Sequence, residues 1–343
     1  KEDIAHGTKS AIKGGVTSIF EMPNTSPLTL DEQTLQDKLS RAEKTAWCDY
    51  AFFMGGNSEN AHRLAYLERL PGCAGVKIFM GSSTGTLLAK DDEVIADVLA
   101  NGVRRGSVHA EDEDRLISRQ NIAIESESPQ AHPDWRDVES AVRATTRLVK
   151  LAREANRRVH VLHISSRDEM DILAKHKDLI SVEVTLNHLT LNAPDCYEQL
   201  GAFAQMNPPV RDLIHQTGLW AAIQNGIVDV IGSDHAPHTV EEKERPYPSS
   251  PSGMPGVQTS LPLLLNHMHE GRLSLERIVD LTSAGPQRLF GIAAKGRIAI
   301  GYDADLVIVD LKKRRTISDD WIASKCGWTP FNNKLVKGWP IMT

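Results

Sequence analysis

Short apolar, β-branched runs recur along the chain at intervals that leave room for a helix between them. They are VTSIFEMP (16–23), DYAFFMG (49–55), GVKIFMG (75–81), SVHAE (107–111), RVHVLHIS (158–165), SVEVTLNHL (181–189) and VDVIGSDHAP (228–237). Most of the intervening segments place apolar residues at helical period, as in LDEQTLQDKLSRAEKTAW (30–47) and DWRDVESAVRATTRLVKLAREANRR (134–158). Parallel strands need such crossovers, and a long series of them builds an open doubly wound sheet or a closed barrel. No GxGxxG follows the first run, which counts against a dinucleotide-binding sheet. The pattern therefore predicts an α/β fold, either another open sheet or a barrel of the TIM-type (β/α)8 class.

Seven runs are one short of the eight that close such a barrel. The chain opens directly on a predicted helix, Glu2 to Lys13, so the missing strand is expected to be the first, upstream of Lys1. After about residue 290 the pattern changes. KGRIAIGYDADLVIVDLKK (295–313) reads as short strands joined by a Gly-Tyr-Asp turn without a helix between them. The expected division is a barrel over 1–293 and a small β segment with its tail over 294–343. ERPYPSSPSGMPG (244–256) follows the last strand, where a barrel has its active-site rim, so a mobile loop there could be functional.

Candidate chemistry lies where polar residues interrupt apolar runs. Lys77 sits inside GVKIFMG, His109 closes SVHAE, His163 ends RVHVLHIS and Asp234 falls in VIGSDHAPH. Strand ends in a barrel line one mouth, so the four side chains could converge, and two imidazoles with a carboxylate suit zinc or a similar divalent ion. Singly, each has a plainer explanation. Lys77 could be a buried lysine paired with a carboxylate, and Asp234 a turn residue. For His160 and His188 a hydrogen-bonded rim position is the preferred reading. As a set, Lys, His, His and Asp on four strands are hard to explain by packing.

Composition narrows the picture further. A formal charge of −6 offers no basic surface for nucleic acid. No run of eighteen apolar residues is present to span a membrane, and KEDIAHGTKS lacks the apolar core of a signal peptide. The four cysteines (Cys48, Cys73, Cys196, Cys326) are far apart, without CxxC spacing, so a reducing cytoplasm is expected.

GVKIFMGSSTG, HAEDE, HVLHISS, MNPPVR and SDHAPH, in this order, resemble the dihydroorotases and their hydantoinase-like relatives in the amidohydrolase superfamily. The resemblance runs from KEDI and GGVTSIFEMPNT to KGRIAIGYDADLVIVD; SDHAPH and MPNT favour dihydroorotases, whereas GVKIFMGSS is shared with hydantoinases and dihydropyrimidinases. It implies reversible, zinc-dependent cyclisation of N-carbamoyl-aspartate to dihydroorotate in pyrimidine biosynthesis. By the same resemblance, Lys77 becomes carboxylated and bridges two divalent metal ions, His109 and His163 bind the second ion, and Asp234 binds the first and moves protons. Asn24, Asn207 and His238 match positions that hold the substrate, and a homodimer is implied.

The sequence departs from the pattern where the family's first strand carries His-x-His and a Phe-Arg-Glu-Pro segment, since neither is present. Both are expected upstream of Lys1, and the 343-residue chain alone is expected to bind metal poorly and turn over little. LNHL (186–189) stands where many relatives have Pro-His-His-Leu, so His188 is given no role. The alternatives are a dihydropyrimidinase, hydantoinase or allantoinase, whose substrates lack the ring carboxylate, and a non-catalytic scaffold.

Overall fold

The computed structural model describes residues 2–83 and 87–343. Seven parallel strands form one sheet in chain order: β1 (Ser18–Glu21), β2 (Asp49–Gly55), β3 (Cys73–Phe79), β4 (Gly106–His109), β5 (Val159–Val161), β6 (Ile180–Thr185) and β7 (Val230–Gly232). Each strand falls within, or overlaps, one of the predicted runs. The sheet curls as a barrel wall, with β1 and β7 at its two edges. A cavity of about 2000 Å³ is lined by both of these edges and by the strand ends between them.

Helices cover the outer face, and aspartates start several of them. Asp3, Asp31, Asp112 and Asp137 each accept a backbone N–H in the first turn of the helix that follows. Asp137 also divides the segment expected as one helix over 134–158. A short turn, His132–Trp135, ends there, and a new helix, Val138–Glu154, begins behind the Asp137 cap. Arg136, between them, leaves helical geometry and turns inward.

Strand alternation sorts the residues by task. Val76, Ile78, Val108, Val161, Val182 and Val184 point outward into one core shared with the helices. The positions between them carry Lys77, Ser107, His109, His160, Ser181 and Glu183. The interior of the curl is thus polar, and it is where the site lies.

Beyond the barrel wall, β8 (Ile308–Thr316) and β9 (Leu335–Met342) form an antiparallel pair. The small C-terminal sheet was expected, but its first expected strand was not found: 295–307 holds no strand, and Ile298 and Ile300 stand exposed. β9 packs instead on the helix Ser260–His269. Gly338, at φ +97°, permits that approach, because a Cβ there would lie 2.5 Å from Cβ of Leu265. Among the described residues, no helix is long and apolar enough to cross a membrane.

Candidate active site

Lys77, His109, His163 and Asp234 all line the one cavity, as do Asn24, Asn207 and His238. All seven candidate site residues thus line the same cavity. The end of the GVKIFMGSSTG motif, Thr84 and Gly85, lies outside the described residues.

His109 is the last residue of β4, and His163 lies two residues past β5. Their rings face each other with Nδ1 of His109 3.1 Å from Nε2 of His163. Both rings are buried, and burial holds both below the ordinary histidine range, so both are neutral near pH 7. Nδ1 of His163 is buried without a hydrogen-bond partner. A pair of neutral imidazoles with facing nitrogens suits a shared cation. Ligands about 2.0–2.1 Å from a tetrahedral zinc would stand roughly 3.3 Å apart, close to the spacing seen.

Behind His109 lies a buried charge pair. Glu111 accepts from Nε and Nη2 of Arg136, and its Oε2 lies 3.0 Å from Nε2 of His109, at an oblique angle. Despite the cost of burial, the Arg136 guanidinium and His109 hold the Glu111 carboxyl well below the usual range. An anion beside Nε2 favours the proton there, which leaves Nδ1 bare and turned toward His163.

Lys77 is 2% exposed, with its Nζ 4.4 Å from the centre of the Phe79 ring. Burial pushes its ammonium down to about 7, against the opposing pull of Asp234 and Glu183. Asp234 keeps some contact with solvent. The surrounding protein nonetheless pushes its carboxyl up to about 7, with the Glu183 charge adding to the rise and Lys77 opposing it.

Two of these residues hold unusual backbone. His163 has φ +40° and Asp234 φ +42°, in the left-handed region that costs a non-glycine residue about 1 kcal/mol or more. At the ends of β5 and β7, this geometry turns both chains at the mouth of the curl.

Glu183 was missed in the sequence. It sits on β6 and accepts the backbone N–H of His163 at 3.2 Å, with Nε2 of His160 at 3.4 Å. Its neighbour Gly232 makes the room, because a Cβ there would lie 2.4 Å from the Glu183 carboxyl carbon. The signal was available: in SVEVT the glutamate stands at the same alternation phase as Lys77 and His109 in their own strands.

His160 and His188 are fully hydrogen-bonded, as expected, but in the interior rather than at a rim. His160 pairs with Ser181 Oγ at 2.9 Å, and His188 pairs with Thr185 Oγ1 at 2.8 Å and the Pro208 carbonyl at 3.0 Å. The segment 244–256 is also not a loose loop. Lys243, fully buried, donates to the carbonyls of Gln205, Pro251 and Gly253, and Ser250 Oγ donates to Gln205 Oε1 at 2.6 Å. Ser252 offers its carbonyl to Nε2 of His238 at 3.0 Å.

A second acidic cluster lies elsewhere. Asp49, Asp303 and Asp305 come together, but the Lys295 ammonium already pairs with all three. It is an ion-pair hub joining the 295–305 segment to the start of β2.

The sequence matches the family described as "Amidohydrolase family" over residues 1–342. The chain belongs to the amidohydrolase family. Among its relatives in this family, the dihydroorotase of Halobacterium salinarum is 36% identical, over all of this chain and 80% of that protein. The dihydroorotase of Pyrococcus abyssi is 37% identical, over all of this chain and 76% of its own length. Of solved amidohydrolase-like structures, the L-hydantoinase (dihydropyrimidinase) of Arthrobacter aurescens superposes with a TM-score of 0.94 at 29% identity, covering 99% of this chain and 78% of that one. The dihydropyrimidinase of Brevibacillus agri gives 0.90 at 30% identity, covering 99% and 77%. The TIM-type barrel and the cyclic-amide hydrolase class are thereby established for this amidohydrolase.

Proposed function

We propose that this amidohydrolase is a dihydroorotase, interconverting dihydroorotate and N-carbamoyl-aspartate in pyrimidine biosynthesis. The chemistry rests on one observation: Lys77, His109, His163 and Asp234 converge on a single cavity. The substrate rests on relatives named dihydroorotase, which are 33–37% identical over 96–100% of the chain. Hydantoinase-type substrates fit less well, since the hydantoinase and dihydropyrimidinase structures stand at 24–30% identity.

His109 and His163 would hold one divalent ion, zinc by the chemistry of the donors, and Asp234 with a carboxylated Lys77 would serve a second. A neutral amine is the form that adds carbon dioxide, and burial of Lys77 supplies that form near neutral pH. The carbamate would offer two anionic oxygens in place of a repelling ammonium. When bound, the ions polarise the ring amide carbonyl and make water acidic enough to attack near neutral pH.

The chain's own residues do the rest. In hydrolysis, water oxygen adds to the amide carbon, the ring C–N bond breaks, and the ring nitrogen takes up a proton. Asp234 accepts the proton from the attacking water and returns it to the departing nitrogen. Cyclisation reverses these steps, with Asp234 taking the proton from the carbamoyl nitrogen. Asn24, Asn207 and His238 hold the substrate in reach. A homodimer, as the resemblance implies, and a cytoplasmic location, in keeping with four free cysteines, complete the proposal.

The test is the hydrolysis rate of the complete, metal-loaded gene product on dihydroorotate beside dihydrouracil, hydantoin and allantoin. A clear preference for dihydroorotate is expected. Activity confined to the uncharged rings would reassign the substrate, and no activity on any would move the scaffold reading to the front.

A further inference from the structure

Asn207 lines the cavity, and its amide is not free to choose which end it presents. Nε2 of His132, a fully buried ring, lies 3.1 Å from the Met206 carbonyl oxygen and 3.0 Å from Oδ1 of Asn207. A carbonyl oxygen only accepts, so Nε2 carries the proton. Turning the amide over would set its NH2 against that N–H, two donors face to face in a buried place. The Oδ1 end is therefore the one held. On the far side of the ring, Nδ1 faces the hydroxyl of the buried Tyr247 at 3.4 Å, a group able to donate to it. Burial also keeps the ring neutral, with its pKa down to about 3, so the arrangement does not change across the physiological range.

With Oδ1 engaged, the NH2 end of Asn207 is the one left for the cavity. We propose that His132 is a positioning residue that makes Asn207 a hydrogen-bond donor to the substrate. This side of the cavity then takes an acceptor oxygen, a carbonyl or carboxylate, and rejects a ring N–H. The inference rests on the proposed placement of Asn207 at the substrate. His132 comes from the turn before the helix Val138–Glu154, far in sequence from Asn207.

The test uses the complete, metal-loaded gene product and whichever of dihydroorotate, dihydrouracil or hydantoin the wild type opens, so a wrong substrate assignment does not mask the result. His132→Phe keeps a ring but removes the N–H. KM is expected to rise about tenfold, with kcat within about threefold and metal content unchanged. His132→Gln, whose amide N–H reaches the same place, should recover most of the loss. The decisive readout is coupling, since H132F should add little to the effect of Asn207→Ala on KM. An unchanged KM in H132F, or full additivity in the double variant, overturns the proposal. If H132F gives no cooperative melt, Asn207→Asp takes its place. It keeps an oxygen for His132 and replaces the donor with an acceptor, so KM should rise while the melt stays near wild type. An unchanged KM in N207D overturns the proposal equally.

Discussion

Removing the Glu111 carboxylate should destabilise the protein and loosen the site together. Glu111 and Arg136 are 0% and 2% exposed, so Glu111→Ala strands a guanidinium in the interior. Arg136 would keep its bond to the Ser82 carbonyl at 2.6 Å but lose the counter-ion beside it. Breaking a pair buried this deeply costs about 3–5 kcal/mol, because the remaining charge has no compensation. For a chain this large, that is a fall of about 4–7 °C in Tm. Removing both charges is a different perturbation. Glu111→Leu with Arg136→Met leaves no buried charge and should recover most of the loss, short of about 1 kcal/mol for the unmet Ser82 carbonyl. The oblique contact to Nε2 of His109 gives a second readout, since losing the anion frees that ring to turn. Zinc affinity of E111A should drop ~10–100-fold, and the double variant should not restore it. Thermal melts and zinc titration with a competing chelator measure the two effects. An E111A melt within about 1 kcal/mol of wild type, or a double variant as unstable as E111A, would refute the reasoning.

Three further outcomes are expected. Lys77→Ala should lose most bound metal and activity, and a short carboxylic acid in solution should restore part of it; full metal and rate in the variant would end the bridging role. Asp234→Asn should keep the ion held by His109 and His163 yet lower turnover about 1000-fold. Turnover within tenfold of wild type would remove Asp234 from proton transfer. His188 and His132 are held neutral by burial, at about 4 and about 3 against an ordinary 6.5. The unfolded chain takes up protons first, so stability is full above pH 6.5 and is lost as pH falls toward 4 and then 3. His188 alone would account for at most about 3 kcal/mol, and acid melts of His188→Gln should show a shallower slope over that window.

Much of the barrel wall was legible because each strand is an apolar run bounded by polar segments. Lys77, His109, His163 and Asp234 were legible because each breaks or ends such a run. Glu183 was passed over because SVEVT still reads as an ordinary alternating strand; only comparison of phase across strands shows that it faces Lys77. His132 carried no signal, since HPDW reads as a turn and its partners Asn207 and Tyr247 are distant in sequence. The left-handed backbone of His163 and Asp234 leaves no mark on a sequence when neither residue is glycine. The break at Arg136 was hidden by good helical period on both sides of it. The missing strand at 295–307 shows the opposite error, where Ile298 and Ile300 alternate like a strand but find no surface to cover them.

Lys243 sits in VEEKER, where a lysine would ordinarily lie on the surface, yet it is fully enclosed, with Trp328 beside it. Its three carbonyl partners belong to two separate stretches of chain, 205 and 251–253, so one side chain ties both, including the cavity-lining Gly253, to the short helix Val240–Lys243. This part of the cavity rim has already given up its conformational freedom when the protein folds. Ligand capture then need not wait for 251–253 to settle, and association should follow a single exponential whose rate grows linearly with ligand concentration.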